Sequence, residues 1–412
     1  MTVARDVPAH DFPPPPEPDL TPEAVIARAG AIAASLVDRQ AETERRTYYS
    51  EDTHREFLDA GFYRLIVPRR FGGYEFGVQT LVRVATALAR GCPSTGWMYL
   101  FGAAHALVAA SLFEEKAQSE LFAEGDFVCP AAVAPTGTAA RTSDGDWLIN
   151  GTWGYCSGSP YATHFIGHAL AVGPDGQPAE PVMFVLPRQQ WRRLDDWGGQ
   201  LGLRGSGSHG IAVTDARVPD HHVLPVHLSQ LSVTGGTPGR LLHGNPEYGG
   251  GPLSFMLLEL GALAVGMAQG ALDAYEELLR TRSTIFPPVV LRMEDPDYQF
   301  RYGEAVGLLA TAEAALTDAV RQWSEACASG PQVFTRETEL RLATISREVV
   351  RLCWRAVEGH LFPSAGSSAS RQGERMERVW RDMSMLHGHA GLSTFLAMKA
   401  NRELAQAHFG LA

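Results

Sequence analysis

The sequence predicts a mainly helical α+β fold: an N-terminal helical domain, a central antiparallel β-barrel or sandwich, and a C-terminal four-helix bundle. Three observations predict it. Apolar residues recur at helical spacing as far as Leu121. The period then shortens near Phe127 into short β-rich runs separated by turn residues. From Pro252 onward, four long helical stretches follow one another. These patterns divide the 412 residues into an extended arm (1–20), a helical domain (21–122), a β domain (123–235) and the bundle (236–412). A chain of this length can bury a large core.

The arm carries Asp11-Phe12-Pro13-Pro14-Pro15-Pro16, which reads as extended and poorly ordered. Thr21 then caps a first helix. Pro22 occupies its first position, Glu23 its first turn, and Val25, Ile32 and Leu36 mark its apolar face toward Arg45. A second helix at 50–60 stops at Gly61. Past the turn Phe71-Gly72-Gly73-Tyr74, helical patterns resume at 78–90 and again at 94–121, through Trp97 and His105. Strand candidates are 147–149, 165–172, 182–186 and 211–214. Asp144-Gly145, Asn150-Gly151 and Gly173-Pro174-Asp175-Gly176 supply turns, so 147–153 reads as a hairpin. The Gly, Pro and Ser of 229–251 read as a linker, and the bundle helices are expected at 252–283, 297–328, 335–361 and 372–408.

Composition narrows the function. A formal net charge of −11 without any Lys/Arg-rich stretch argues against nucleic acid or an anionic membrane as partner. Cys92, Cys129, Cys156, Cys327 and Cys353 are scattered and form no CxxC pair; they fit a reduced cytoplasmic location rather than a disulfide framework or a zinc site, and no metal is expected. No apolar signal core opens the chain, and no window approaches about 18 uninterrupted apolar residues, so no membrane span is expected.

Chemistry gathers near the C-terminus, in Arg381-Asp382-Met383-Ser384-Met385-Leu386-His387-Gly388-His389-Ala390-Gly391. Val379, Met383, Leu386 and Ala390 recur at helical steps, and His389 sits beside that stripe, facing the core or a pocket. Taken alone, it reads as a core histidine. The β domain carries Pro135-Thr136-Gly137-Thr138-Ala139, then Asn150-Gly151-Thr152-Trp153-Gly154-Tyr155-Cys156-Ser157-Gly158-Ser159-Pro160, and later Gly202-Leu203-Arg204-Gly205-Ser206-Gly207-Ser208. In front lie Ala60-Gly61-Phe62, Phe71-Gly72-Gly73 and Cys92-Pro93-Ser94-Thr95-Gly96-Trp97. In order and spacing these resemble the acyl-CoA dehydrogenase superfamily over nearly the whole chain. More closely, they resemble its flavin-dependent monooxygenases, the oxygenase components of two-component hydroxylases.

The resemblance implies roles. Counting from Asn150-Gly151 puts Ser157 where a hydroxyl meets the flavin's central-ring nitrogen, and Tyr155 where an aromatic covers the flavin face. Where dehydrogenases carry Glu-Gly as the α-proton base, Arg381-Asp382 leads instead to Ala390-Gly391, and alanine accepts no proton. The alternative base position on the first bundle helix falls on Met256, with Glu259 one turn away. The residue before Ala390 is His389, the arrangement of the monooxygenase branch. His389 is then expected to protonate or orient a flavin peroxide, with Ser157 at the flavin nitrogen and His105 as a third catalytic candidate. Arg204, Ser206, Ser208 and Arg282 are candidates for the flavin phosphates, although Pro287 replaces the glycine of the usual Arg282 motif. The implied reaction hydroxylates a small phenolic or other electron-rich substrate with dioxygen and reduced FMN or FAD. No dinucleotide fingerprint is present, so a separate reductase would supply the reduced flavin by diffusion. A homotetramer through the C-terminal bundle is implied as well. N-oxygenation of an amine or amino sugar, and an acyl-CoA dehydrogenase with a relocated base, are the alternatives.

Overall fold

A computed structural model describes residues 12, 14–173 and 177–411; most of the expected arm and the turn at Pro174-Asp175-Gly176 lie outside the described residues. Phe12 packs edge-on against Phe71 at 5.0 Å. The front of the molecule is helical: α1 (Pro22–Arg46), α2 (Glu51–Asp59), α3 (Val78–Gly91), α4 (Pro93–Ala103), α5 (His105–Leu112) and α6 (Glu115–Leu121). Thr21 caps α1 as expected, its hydroxyl accepting the Ala24 N–H at 3.2 Å. The helix expected at 94–121 is divided into α4, α5 and α6. All eight residues of α5 are buried.

Among the described residues seven strands follow: β1 (Gly137–Arg141), β2 (Trp147–Trp153), β3 (His164–Val172), β4 (Pro178–Pro187), β5 (Arg192–Arg193), β6 (Ile211–Val218) and β7 (Val223–Leu224). They form one sheet in the order β5-β6-β2-β1-β3-β4-β7. Neighbours pair antiparallel except β1 and β3, which are parallel. Asn150-Gly151 does not make the expected hairpin. β2 runs straight through it and pairs with β6, from Trp147 opposite Val218 to Trp153 opposite Ile211, with a register shift at 149–151. Gly151 serves packing instead: a Cβ there would lie 2.6 Å from the Gly137 Cα and 2.8 Å from the Trp153 ring. The reversal occurs at Asp144-Gly145, with Gly145 at φ 96°.

Side chains alternate along the strands as the pleat requires. On β4, Met183 and Val185 join the helical core, while Val182, Phe184 and Leu186 pack with Trp153, Phe165 and Trp191 in a separate core of the sheet. The expected linker contains a short helix, α7 (Pro238–His243).

The bundle begins with α8 (Pro252–Thr281), α9 (Pro296–Ser329) and α10 (Arg336–Ala356), the last running through a π turn at Val357–Leu361 into α11 (Phe362–Ala365). Its fourth member is broken. α12 (Arg375–His387) ends at Gly388, the chain re-forms as a π-helix over Gly391–Ala400, and α13 (Asn401–His408) completes it. At the break the His389 N–H bonds the Leu386 carbonyl at 3.0 Å, one residue tighter than an α-helix. Among the described residues two stretches, Pro93–Leu112 and Pro252–Thr281, are long and apolar enough to cross a bilayer. They are 94% and 83% buried inside the molecule, however, and form its core.

Candidate active site

α4 and α5 present a stripe at helical spacing: Trp97, Phe101 and His105. The ring centroids of Trp97 and Phe101 lie 4.9 Å apart, and those of Phe101 and His105 6.4 Å. Trp97 joins the two residues singled out in the sequence. Its indole Nε1–H donates to Ser157 Oγ at 2.9 Å, and its ring meets that of His389 edge-on at 5.6 Å.

Ser157 lies in the turn after β2 and is half-buried. Its Oγ is 2.7 Å from Ser208 Oγ, which is 2.7 Å from Ser206 Oγ. Trp97 can only donate, so the single Ser157 proton is directed either into this serine chain or out toward a ligand. Ser206 and Ser208 are both buried behind Ser157. The sequence offers them as candidates for the flavin phosphates; here their hydroxyls line up behind Ser157. Tyr155, in the left-handed region at φ 60°, exposes 70% of its surface and lies edge-on to Trp197 at 5.4 Å.

His389 occupies the break after α12. The Gly391 N–H donates to its Nδ1 at 3.2 Å, so the neutral ring carries its proton on Nε2, which has no hydrogen-bond partner among the described residues. Burial pushes this imidazole down to about 4. The near-neutral acid expected from the sequence is therefore corrected: at neutral pH His389 is an uncharged N–H donor. His105 is 2% exposed. Its Nδ1 donates to the Phe101 and Cys129 carbonyls at 2.8 and 2.7 Å, leaving Nε2 as a buried acceptor without a partner among the described residues.

The two arginines expected at the flavin phosphates make contacts of their own. Arg204 donates from Nε to the Gln200 carbonyl at 2.6 Å and pairs with Glu44 at 3.4 Å. Glu44 also receives Arg378 at 3.2 Å and Arg381 at 3.0 Å, so one α1 carboxylate ties the Gly-rich loop to α12. Arg282, at the end of α8, donates to Ser368 Oγ. The Arg381-Asp382 pair fastens the same loop: Arg381 donates to the Leu201 carbonyl at 3.0 Å, and the Leu203 N–H donates to Asp382 Oδ1 at 2.5 Å. Burial raises Asp382 to about 7. In the sequence Trp97 and Asp382 stand out only as motif members. The signals available were the Trp97, Phe101, His105 spacing and the adjacency of an acid to Arg381.

Ala390 is exposed and Met256 half-buried. Glu259 is 1% exposed with neither carboxylate oxygen hydrogen-bonded, and burial raises its pKa well above the usual range, which favours the neutral acid at this enclosed position on α8. A cleft of about 740 Å³ lies away from these groups, between α1, α3, α8 and α9, lined by Val82, Arg83, Gln269 and Glu313 among others.

Residues 23–120 match the N-terminal domain model of acyl-CoA dehydrogenase, and residues 258–394 its C-terminal domain model. The chain is 31% identical to the flavin-dependent monooxygenase, oxygenase subunit HsaA, of Rhodococcus jostii (strain RHA1), over 89% of this chain and 92% of that protein. It is 27% identical to the oxygenase component of an FADH2-dependent resorcinol hydroxylase from Rhizobium sp. (strain MTP-10005), over 90% of each. The crystal structure of 3-HSA hydroxylase from Rhodococcus sp. RHA1 superimposes with a TM-score of 0.83 at 28% identity, covering 94% of this chain and 97% of that one.

Proposed function

Since the chain belongs to the acyl-CoA dehydrogenase family and its relatives are oxygenase components of flavin-dependent monooxygenases, we propose that it is the oxygenase component of a two-component hydroxylase. Its substrates are dioxygen and a small electron-rich aromatic molecule such as a phenol; a separate reductase supplies reduced FAD or FMN. One observation carries the reading: Trp97 holds Ser157 by its N–H and His389 by its ring, where Ala390 leaves no carboxylate to remove an α-proton.

The residues present fit a flavin. Ser157 keeps a lone pair and a steerable proton, Tyr155 holds an exposed ring in a strained backbone conformation, and His389 keeps an unspent Nε2–H. When bound, reduced flavin supplies the electrons that activate dioxygen. The chain's own groups do the rest. Ser157 would hold the flavin ring by a hydrogen bond, backed by Ser208 and Ser206. His389 donates its Nε2–H to oxygen without carrying charge. His105 Nε2 accepts the proton of a substrate hydroxyl, and Trp97 with Phe101 keeps water from that edge.

The protein works as a cytoplasmic homotetramer packed through its C-terminal bundle. In support, Ile285, Phe286 and Val289 beside the bundle expose 79%, 81% and 65% of their surface, and all five cysteines are free. Light scattering that returned a monomer at working concentration would overturn the tetramer.

The reaction is tested by mixing reduced flavin, dioxygen and a panel of phenols with the protein and measuring hydroxylated product against hydrogen peroxide. Product in excess of peroxide supports the reading. Bleaching of bound oxidised FAD by an acyl-CoA without oxygen, with no hydroxylated product, overturns it.

A further inference from the structure

Away from the flavin site, three side chains converge where the helical front meets the sheet. Glu120 lies near the end of α6, and His221 and His222 occupy the 3-10 turn Asp220–His222 between β6 and β7. Their ligating atoms all lie within 4.8 Å of one another. His221 Nε2 is 3.0 Å from Glu120 Oε2 and hydrogen-bonded to it. His222 Nε2 lies 2.9 Å from the same oxygen, within ion-pair range, but its ring N–H is poorly aligned for a hydrogen bond to it. His222 is only 7% exposed, and its nitrogen is buried without a hydrogen-bond partner. The two rings sit edge-to-face at 4.6 Å.

A buried nitrogen so close to a carboxylate oxygen, yet poorly aligned to donate to it, costs free energy as a polar group that has lost water without a full hydrogen bond in return. A cation between the three atoms removes that cost, because a neutral imidazole then offers its lone pair. We propose that Glu120, His221 and His222 form a site for a zinc-like divalent cation, which ties α6 to the β6–β7 turn. Two imidazoles and one carboxylate are a zinc donor set, with the fourth tetrahedral position left to water. Bonds of about 2.0–2.2 Å at tetrahedral angles place ligand atoms roughly 3.3–3.5 Å apart, so the two short separations need to open by only a few tenths of an ångström. Lys116, one turn before Glu120, is exposed to solvent, which screens its charge. Sequence spacing could not reveal the site, since Glu120 lies a hundred residues from the histidines and meets them only through the fold.

The test uses the full chain, freed of metal by a chelator and titrated with Zn²⁺ alone by calorimetry, with Co²⁺ as a spectroscopic probe. One ion per chain is expected, with a dissociation constant on the order of micromolar or tighter, a rise of several degrees in Tm, and tetrahedral Co²⁺ bands. Glu120→Gln and His221→Asn, both at partly exposed positions, should each weaken Zn²⁺ binding by about tenfold or more. His408→Ala, at a distant surface pair with Glu337, should leave binding unchanged. Binding of less than one ion per chain, or equal binding in Glu120→Gln and the parent, overturns the site. Should His221→Asn fail to fold, Glu120→Gln decides alone.

Discussion

At the scale of single residues, His389 acts through its tautomer rather than its charge. Its imidazole goes from 6.5 in the unfolded chain to about 4 in the fold, so it stays neutral throughout the working pH range. His389→Ala should lower hydroxylation by roughly 10–100-fold and divert turnover to hydrogen peroxide. An unchanged peroxide-to-product ratio would return His389 to a packing role. Trp97→Phe keeps a ring beside His389 but removes the donor to Ser157, at a cost of about 1 kcal/mol. Flavin affinity should fall by several-fold in fluorescence titrations, and affinity equal to the parent's would show that the Ser157 contact does not matter. Glu259 offers the opposite sign. Its carboxyl is raised above the unfolded value of 4.5, so its protonated fold is favoured below that value and loses stability as pH rises. Replacing an unpartnered buried acid with an apolar side chain of similar volume, Glu259→Met, should stabilise by about 1–3 kcal/mol and flatten that decline, read from denaturant melts at two pH values. That Ser157 and His389 belong together was suggested by a family frame that sets their count from Asn150-Gly151 and Arg381-Asp382, and both meet Trp97 in the fold. The contacts of Arg204 were not legible, because a sequence cannot show that Glu44 on α1 competes for its guanidinium.

Among the elements, the loop carrying Ser206 and Ser208 is placed by α12 as much as by its own strands. Gly202 presses on that helix: a Cβ there would lie 2.1 Å from the Arg381 carbonyl oxygen, a backbone atom that cannot step aside. Gly202→Ala should cost several kcal/mol by the overpacking rule and weaken flavin binding with it; a Tm within a degree of the parent's would contradict this. Asp382 separates acceptor from charge. Its carboxyl, raised from 3.8 to about 7, contributes stability that is complete below 3.8 and lost as pH rises through 7. Asp382→Asn keeps an oxygen for the Leu203 N–H and should abolish that alkaline loss, whereas Asp382→Ala should cost about 1–3 kcal/mol below pH 4, a cost that shrinks as pH rises toward 7 because the parent alone loses stability there. Helix positions were readable from periodicity, and the long bundle helices appear near their expected bounds. The break at Gly388 was not readable, since one glycine in an apolar stripe looks like an ordinary helix residue. The Asn150-Gly151 turn was misread because the same dipeptide also lets a strand pass beneath the Trp153 ring.

For the molecule as a whole, the buried histidines set the acid limit. His164, His168 and His243 join His389 at about 4, each chiefly through burial. Unfolded imidazoles take up protons near 6.5 that the folded ones refuse, so stability present above 6.5 is lost as pH falls toward 4. With Asp382 acting from the alkaline side, Tm should peak near pH 6–7 and fall steeply below 6; a flat profile from 7 to 4.5 would refute the burial argument. Glu44 bears on a different property. A single carboxylate on the helical front holds Arg204 of the sheet's loop together with Arg378 and Arg381 of the bundle. Three bodies that share one anion cannot melt one after another without stranding cations, so calorimetry should record one heat-absorption peak. With Glu44 neutralised, that peak should divide into separate events, as the parts regain the freedom to come apart alone.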